Sequence, residues 1–568
     1  MKYISATIFK TIAIACFFAA MAACNKDLGN YDYTDINTVK IEGIRDTTAA
    51  VGDVLKIVPD LKFSLGEDDS AFNFTWYIRQ NGEWTVLQEG RNLAVEVAGV
   101  IGKPTAASPY SLAYEVLNTK TQVIYRKLFS LTVINPLTKG FAALCELDNG
   151  FDIDMIVQSV DGNFDLYKNI LEMTGSELPR ENVKPYDILA FDDPMAPDPY
   201  NREGVTYSVF ILTDQYTTRI KALDYSWKSS YDIANSIEYN SYLDKKYLQN
   251  GEKIIAQKMK FAYTTTNSVR TLIYIKEDNG QGNWYICSAY PAWYFYSQPM
   301  NDVRPSGNAR YEPAPFVSAG ANGAMYFNAD KKSFMYQVFP SAGGLGTSSL
   351  FYTEPFTNEP SGADYYFNDP NEGLLYMGER MGNVSTPDAG YAILKQADGS
   401  FKYIEYGLAN SLLGVAANKK SPCYFPAGSS IGNAKFIARD PAVGSPFLFY
   451  TTNDNKVYRV DVSSFSADVR EVTSTFIADG YNEITQFKFT LPNTRAIGGG
   501  IEQVLAVATY NNSLGKATGG KLEFFRMTDT TEGNMSLTTY PADAPEGEGI
   551  VMSWKGLGKI VGLTYKEK

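Results

Sequence analysis

The chain has 568 residues, 45% of them hydrophobic and 20% charged, with 63 acidic against 51 basic side chains and no histidine. That balance fills cores and excludes a disordered chain, and the missing imidazole excludes Ser-His-Asp triads, Cys-His dyads and HExxH zinc sites. A formal charge of −12 without a basic cluster argues against nucleic acid as a partner.

The N-terminus carries the sharpest signal. Lys2 and Lys10 form a positive region ahead of an apolar run from Thr11 to Met21, and Ala22 and Ala23 then precede Cys24. The run is too short to span a bilayer as a helix and has the flanks of a secretory signal. Met21-Ala22-Ala23-Cys24 looks like a bacterial lipobox, which predicts cleavage after residue 23 and a lipidated Cys24. Two acyl chains hold a protein at a membrane without a transmembrane helix. Cleavage removes Lys2 and Lys10, taking the charge from −12 to −14. Residues 24–37 are polar and aperiodic and read as a tether.

Residues 38–135 show short alternating strands broken by turn residues. They run through Val39-Lys40-Ile41, Val54 to Val58, Phe72 to Ile78, Trp84 to Leu87, Ser111 to Leu117 and Lys127 to Ile134. Asn81-Gly82 is a strong hairpin pair between two of them. The rhythm predicts an immunoglobulin-like sandwich with Trp76 in its core, although the inter-sheet disulfide of antibody domains is missing.

Residues 136–568 repeat one local pattern, an apolar strand, a turn with Asp or Asn, and a second strand rich in Tyr and Phe. It occurs around Asp161, Asp214, Asp278, Asp330, Asp398, Asp454 and Asn512. These markers are about 58 residues apart on average, which predicts a β-propeller of about seven blades. The last apolar strand, Lys559 to Tyr565, is expected to complete a blade with Gly140 to Leu144. The fold class is therefore all-β, a sandwich followed by a propeller.

Candidate chemistry is sparse. Cys145, Cys287 and Cys423 are too far apart for a disulfide framework or a metal site and read as buried apolar residues. Asp148 to Asp154 and Asn368 to Glu372 could offer oxygens to Ca²⁺, but turn chemistry explains the same residues, and neither metal nor cofactor is expected. With 63 acidic residues no carboxylate pair stands out for glycoside hydrolysis. Trp293, Tyr294 and Tyr296, beside a proline-rich loop from Ser297 to Pro315, are the candidate ligand-binding residues, since exposed rings stack on sugar faces. Packing between blades is the competing reading of the same aromatics.

The lipobox, the segment Asp27-Leu28-Gly29-Asn30-Tyr31-Asp32-Tyr33 leading into Ile36-Asn37, and the order of sandwich and propeller together resemble the PKD-like family lipoproteins of the Bacteroidota. The resemblance implies an outer-membrane lipoprotein, often encoded beside starch-utilisation-type transporters and glycan-binding lipoproteins. It provides no catalytic residues. An outward orientation is expected, but Asn25-Lys26-Asp27 matches the acidic signal for surface display only in part, which leaves a periplasmic orientation as the alternative. The expected function is non-catalytic binding of a glycan or of a partner in a nutrient-uptake complex. A carboxylate- or Tyr/Arg-dependent polysaccharide hydrolase or lyase is the alternative, and a purely structural scaffold the second.

Overall fold

In the computed structural model the described residues are 35–566, without 51–52, 67–68, 81, 98–108, 135, 138, 159–162, 193–206, 239–253, 264–268, 277–279, 289–294, 297–298, 303–309, 321–322, 339–352, 357–367, 384–385, 409–421, 443, 491–503 and 541–548. They form two compact units, one centred on Leu55–Val95 and Tyr110–Leu131 and the other on Thr132–Lys568.

The first unit is a sandwich. Its larger sheet has five strands in the order Thr47–Ala50, Ile124–Ile134, Tyr110–Asn118, Phe72–Gln80 and Glu83–Glu89. Two ribbons complete it, Val39–Glu42 with Asp60–Phe63 and Val54–Ile57 with Leu93–Glu96. Alternation decides what is inside: Phe72, Trp76 and Ile78 are buried while Asn73 is exposed. Trp76 is fully buried, 4.2 Å from Tyr114 and edge-on to Phe129, and its indole N–H donates to the Gly90 carbonyl at 3.1 Å. A buried indole keeps its apolar area only if that N–H finds an acceptor, and here it does.

The second unit is a seven-bladed β-propeller. Among the described residues, seven sheets of three to five strands follow one another along the chain. Blade 1 joins both ends of the unit, with Lys559–Lys566 innermost, then Gly140–Leu147, Gly150–Gln158 and Phe164–Tyr167. The innermost strands of blades 2 to 7 are Pro185–Asp192, Ala256–Tyr263, Ser318–Ala319, Gly373–Asn383, Ala434–Arg439 and Glu483–Thr490. The second strands of these six blades are Tyr207–Thr213, Val269–Lys276, Gly323–Asn328, Thr386–Lys395, Phe447–Thr452 and Val504–Tyr510.

Sequence period explains how the blades adhere. Successive residues of a strand point to opposite faces, so each second strand supplies two cores. In blade 2, Val209 and Ile211 pack with Ala142, Ile153 and Met155 of blade 1. Phe210 and Leu212 face the other way and meet Ile273 and Tyr285 of blade 3. Phe447–Thr452 and Val504–Tyr510 are buried at every residue, because blades cover both faces. The outer strand Asp468–Glu471, by contrast, is Asp-Val-Arg-Glu and lies at the surface.

The series of cores runs round to its start. Val504 and Ala506 of blade 7 share a core with Phe141, Ile560 and Leu563 of blade 1. The expected pairing of the C-terminal strand is present, with Phe141 opposite Tyr565 and Ala143 opposite Leu563. Gly562 permits the fit: a Cβ there would lie 2.9 Å from the Ile188 backbone nitrogen of blade 2. Blade 1 also shifts the sequence pattern by one strand. Elsewhere the marker strand is second from the axis, but in blade 1 Met155-Ile156-Val157 is on the third strand. The equivalent turn is the one before Gly150, because the innermost strand comes from the other end of the chain.

Candidate functional site

Where the innermost strands converge, they enclose a cavity of about 820 Å³. Hydrogen bonds between neighbouring blades frame it. The Ala190 N–H donates to Thr564 Oγ1 at 3.0 Å, and the Gln486 amide donates to the Val561 carbonyl. Lys435 Nζ donates to the Ile484 carbonyl at 2.6 Å, and the Ala319 N–H to Glu379 Oε1 at 2.8 Å.

The same two-residue period aims the lining. On Ala256–Tyr263, Met259 is buried in the blade, whereas Lys258 and Lys260 on either side of it line the cavity. On Glu483–Thr490, Phe487 is buried while Gln486 and Lys488 face inward. Lys435 joins them from blade 6, so four lysines line the space. Asp187 is the one carboxylate among the described lining residues.

Aromatic faces complete the wall. Tyr186 is 41% exposed, Phe316 and Tyr376 touch at 5.0 Å, and Phe436 lies beneath the Lys435 ammonium at 5.3 Å. Burial works to lower the Lys260 pKa but is outweighed by Glu379, its ion-pair partner, and by Tyr376, so the group sits above its ordinary value. Burial also raises the Tyr376 phenol, keeping it a neutral donor. Lys435 is held below its ordinary value by burial, against the pull of Glu483. Lys258 and Lys488 have no ion pair to any described residue. The wall thus offers ammonium donors and ring faces around a water-accessible space of ligand size.

Sequence reasoning singled out other residues. Trp293 and Tyr294 lie outside the described residues, as does Cys24. Tyr296 lies in the two-residue strand Phe295–Tyr296, opposite Glu238 in blade 3. The neighbouring Trp284-Tyr285 pair is core: Trp284 packs towards blade 4 and Tyr285 towards blade 2. The Trp284 indole N–H donates to the Ala314 carbonyl at 3.0 Å. The lysines were missed because they are scattered over three blades. The one local sign was Lys258-Met259-Lys260, two charges on one strand face around a buried residue.

The Ca²⁺-like segments have structural work. Asp152 Oδ1 accepts the N–H groups of Ile153 at 2.7 Å and Leu171 at 2.8 Å, and Oδ2 accepts that of Glu172 at 3.2 Å. Asp154 accepts the N–H groups of Asn169 at 3.0 Å and Gly558 at 2.8 Å. Asp369 closes its own turn on the Asn371 N–H, and Glu372 is buried against Lys402 at 2.6 Å. Among the described residues no group of three His, Cys, Asp or Glu side chains is placed to hold a metal ion. Cys145 and Cys423 are buried free thiols. The Cys145 thiol is pushed well up by burial and by Asp154.

Asp152 gives a pH prediction. Burial raises its pKa from 3.8 to about 6, against the N–H groups and Arg180 that favour the anion. The folded state therefore holds this proton more tightly than the unfolded chain. Its stabilising contribution is complete below about pH 4 and is lost as the pH rises through about 6. In Asp152→Asn the loss is absent, so urea unfolding should show the variant gaining up to about 3 kcal/mol on the wild type between about pH 4 and pH 7. A difference that does not change with pH would contradict the assignment.

A family model described as PKD-like matches residues 24–181, which include the sandwich and the three strands that open blade 1. No curated protein matches the chain. Among solved structures, a quinonprotein alcohol dehydrogenase-like protein from Bacteroides thetaiotaomicron is 10% identical, over 92% of this chain and 96% of that one, with a TM-score of 0.38. A DUF4784 family protein from Bacteroides caccae is 9% identical, over 94% and 100%, with a TM-score of 0.26. The Aleuria aurantia lectin, solved with Fucα1-6GlcNAc, is 9% identical, over 64% and 97%, with a TM-score of 0.29.

Proposed function

We propose that this chain is an outer-membrane lipoprotein, anchored through Cys24 and facing the cell exterior, whose propeller binds a glycan without turning it over, as a component of a nutrient-uptake complex. The axial cavity carries the reading. Its volume suits a short saccharide, its half-exposed rings suit C–H faces, and its ammonium and amide groups suit hydroxyls. Glycoside hydrolysis with two carboxylates would need a second acid within about 5–10 Å of the first, whereas Asp187 stands among lysines. The leader of residues 1–23, the tether of 24–37 and the lipobox support the anchoring half of the proposal.

Two measurements test it. Affinity electrophoresis of the full chain through polysaccharide gels should retard it, and Tyr186→Ala should weaken that retardation by about tenfold. Detergent partitioning of Cys24→Ala should move the protein from the membrane to the aqueous fraction. A chain that binds no polysaccharide and co-purifies with no outer-membrane partner would end the binding proposal. Unchanged partitioning of Cys24→Ala would end the anchor.

A further inference from the structure

We infer that the ligand of the axial cavity is an anionic oligosaccharide, one whose carboxylate or sulfate groups are met by Lys258, Lys488 and Lys435. This rests on the proposal that the cavity binds a glycan and adds its charge. The argument begins with a contrast. The protein carries −12 overall, yet the described charged residues lining its axial cavity are four lysines and one aspartate. An acidic protein has carboxylates to spare, and it uses them on lysines elsewhere. Lys402 is buried on Glu372, Lys521 on Glu523 at 2.7 Å, and Lys559 meets Glu483 at 2.8 Å.

Inside the cavity only Lys260 has that arrangement, through Glu379. Lys258 and Lys488 reach in from blades 3 and 7 without an ion pair to a described residue. Lys435 has a carbonyl and a ring for neighbours and only the longer-range pull of Glu483, which is paired with Lys559. Like charges brought together around an enclosed space repel one another and raise its potential, and a concave wall focuses that field. A bound anion reverses the cost, since each ammonium then makes a charge-assisted hydrogen bond. Adjacent ring faces select a ligand that also presents C–H surface, which a sugar ring does and a bare inorganic anion does not. Net negative charge outside the cavity disfavours a long polyanion running over the surface, so a short oligosaccharide or chain end fits better than a nucleic acid strand.

Isothermal titration of the full chain in detergent decides the matter with four probes: a galacturonate trisaccharide, a sulfated chondroitin tetrasaccharide, a neutral galactose trisaccharide and a short oligothymidylate. The expected result is that at least one acidic saccharide binds at least tenfold more tightly than the neutral one. The preferred acidic probe tells carboxylate from sulfate recognition. Its affinity should fall steeply from low salt to about 0.5 M. Lys258→Ala and Lys488→Ala should each lower it by about tenfold with an unchanged melting temperature, because Lys258 is exposed, Lys488 is only part-buried, and neither makes an ion pair with a described residue. Equal binding of neutral and acidic sugars overturns the inference and leaves glycan binding intact. No saccharide binding at all overturns both. Preference for the oligonucleotide overturns the saccharide identity.

Discussion

Deleting residues from Lys559 onward should abolish the cooperative melting of the propeller while leaving that of the sandwich. The deleted strand is the innermost of blade 1, and its loss leaves Gly140–Leu147 as an open edge along its whole length. The apolar loss is larger still. Ile560, Leu563 and Tyr565 belong to the core shared by blades 7 and 1, and burying side chains of this kind is worth about 1.5–3 kcal/mol each. Total stability for a domain is about 5–15 kcal/mol, so three such residues and a strand ladder exhaust most of it. Calorimetry and limited proteolysis should show a protease-resistant sandwich and a rapidly cut remainder. Survival of a propeller transition near the wild-type temperature would refute the closing role of the strand.

Arg439→Ala should be the most destabilising single substitution at the contact of blades 5 and 6, at about 3–5 kcal/mol. Arg439 is buried on Ala434–Arg439 and reaches blade 5, where Nη2 donates to Glu405 at 3.3 Å and Nε to Tyr403 Oη at 3.1 Å. It also donates to the carbonyls of Phe447 at 2.6 Å and Ser445 at 2.5 Å. Truncation removes the guanidinium from the buried Glu405, which keeps the Tyr403 hydroxyl, and takes a donor from the Ser445 and Phe447 carbonyls, of which Phe447 retains the Asp440 N–H. The desolvation paid on folding is then no longer offset. The double variant Arg439→Met with Glu405→Leu should recover most of the loss, because a buried ion pair gains little over apolar residues of similar volume. Urea unfolding of the single and double variants measures both effects. A double variant as unstable as Arg439→Ala would mean that the carbonyl bonds, and not the ion pair, hold this contact.

Much of the architecture was legible because it is written in local alternation. Strands of six to nine residues with Asp-Gly or Asp-Asn turns identify themselves, and Trp76 sits where a sandwich needs a large buried ring. The array of hairpins likewise declares a propeller, since a sheet with both faces covered must be apolar at consecutive positions, as Phe447-Leu448-Phe449-Tyr450 is. The one-strand offset of blade 1 was not legible, even though the pairing that causes it, Gly140–Leu147 with a strand more than 400 residues later, was expected from the two apolar runs. A hairpin pattern marks a turn and two strands and does not say how far from the axis they lie.

The cavity was harder for a related reason. Lys258, Lys435 and Lys488 are far apart in sequence, and each reads alone as an ordinary surface lysine on a strand. They come to line one cavity only when the ring closes, because the faces that point to the axis are set by how the blades stack. Part of the aromatic content follows the packing reading. Trp284 and Tyr285 are adjacent in sequence and conspicuous, yet alternation sends one to each side of blade 3 and buries both.

Closure by the final strand also sets a schedule for biogenesis. Gly140–Leu147 leaves the ribosome about 410 residues before its partner Lys559–Lys566. At about 5–20 residues per second that interval lasts roughly 20–80 s. Throughout it blade 1 has an unpaired edge, and blade 7, once it has emerged from Glu483 onward, lacks the blade 1 side of its core, so six blades can be complete while the ring is still open. A chain of this design depends on a holding factor, or on slow collapse, until the closing strand arrives. Synonymous slow codons between Leu147 and Lys559 would lengthen the vulnerable period, whereas the same codons before Gly140 would not.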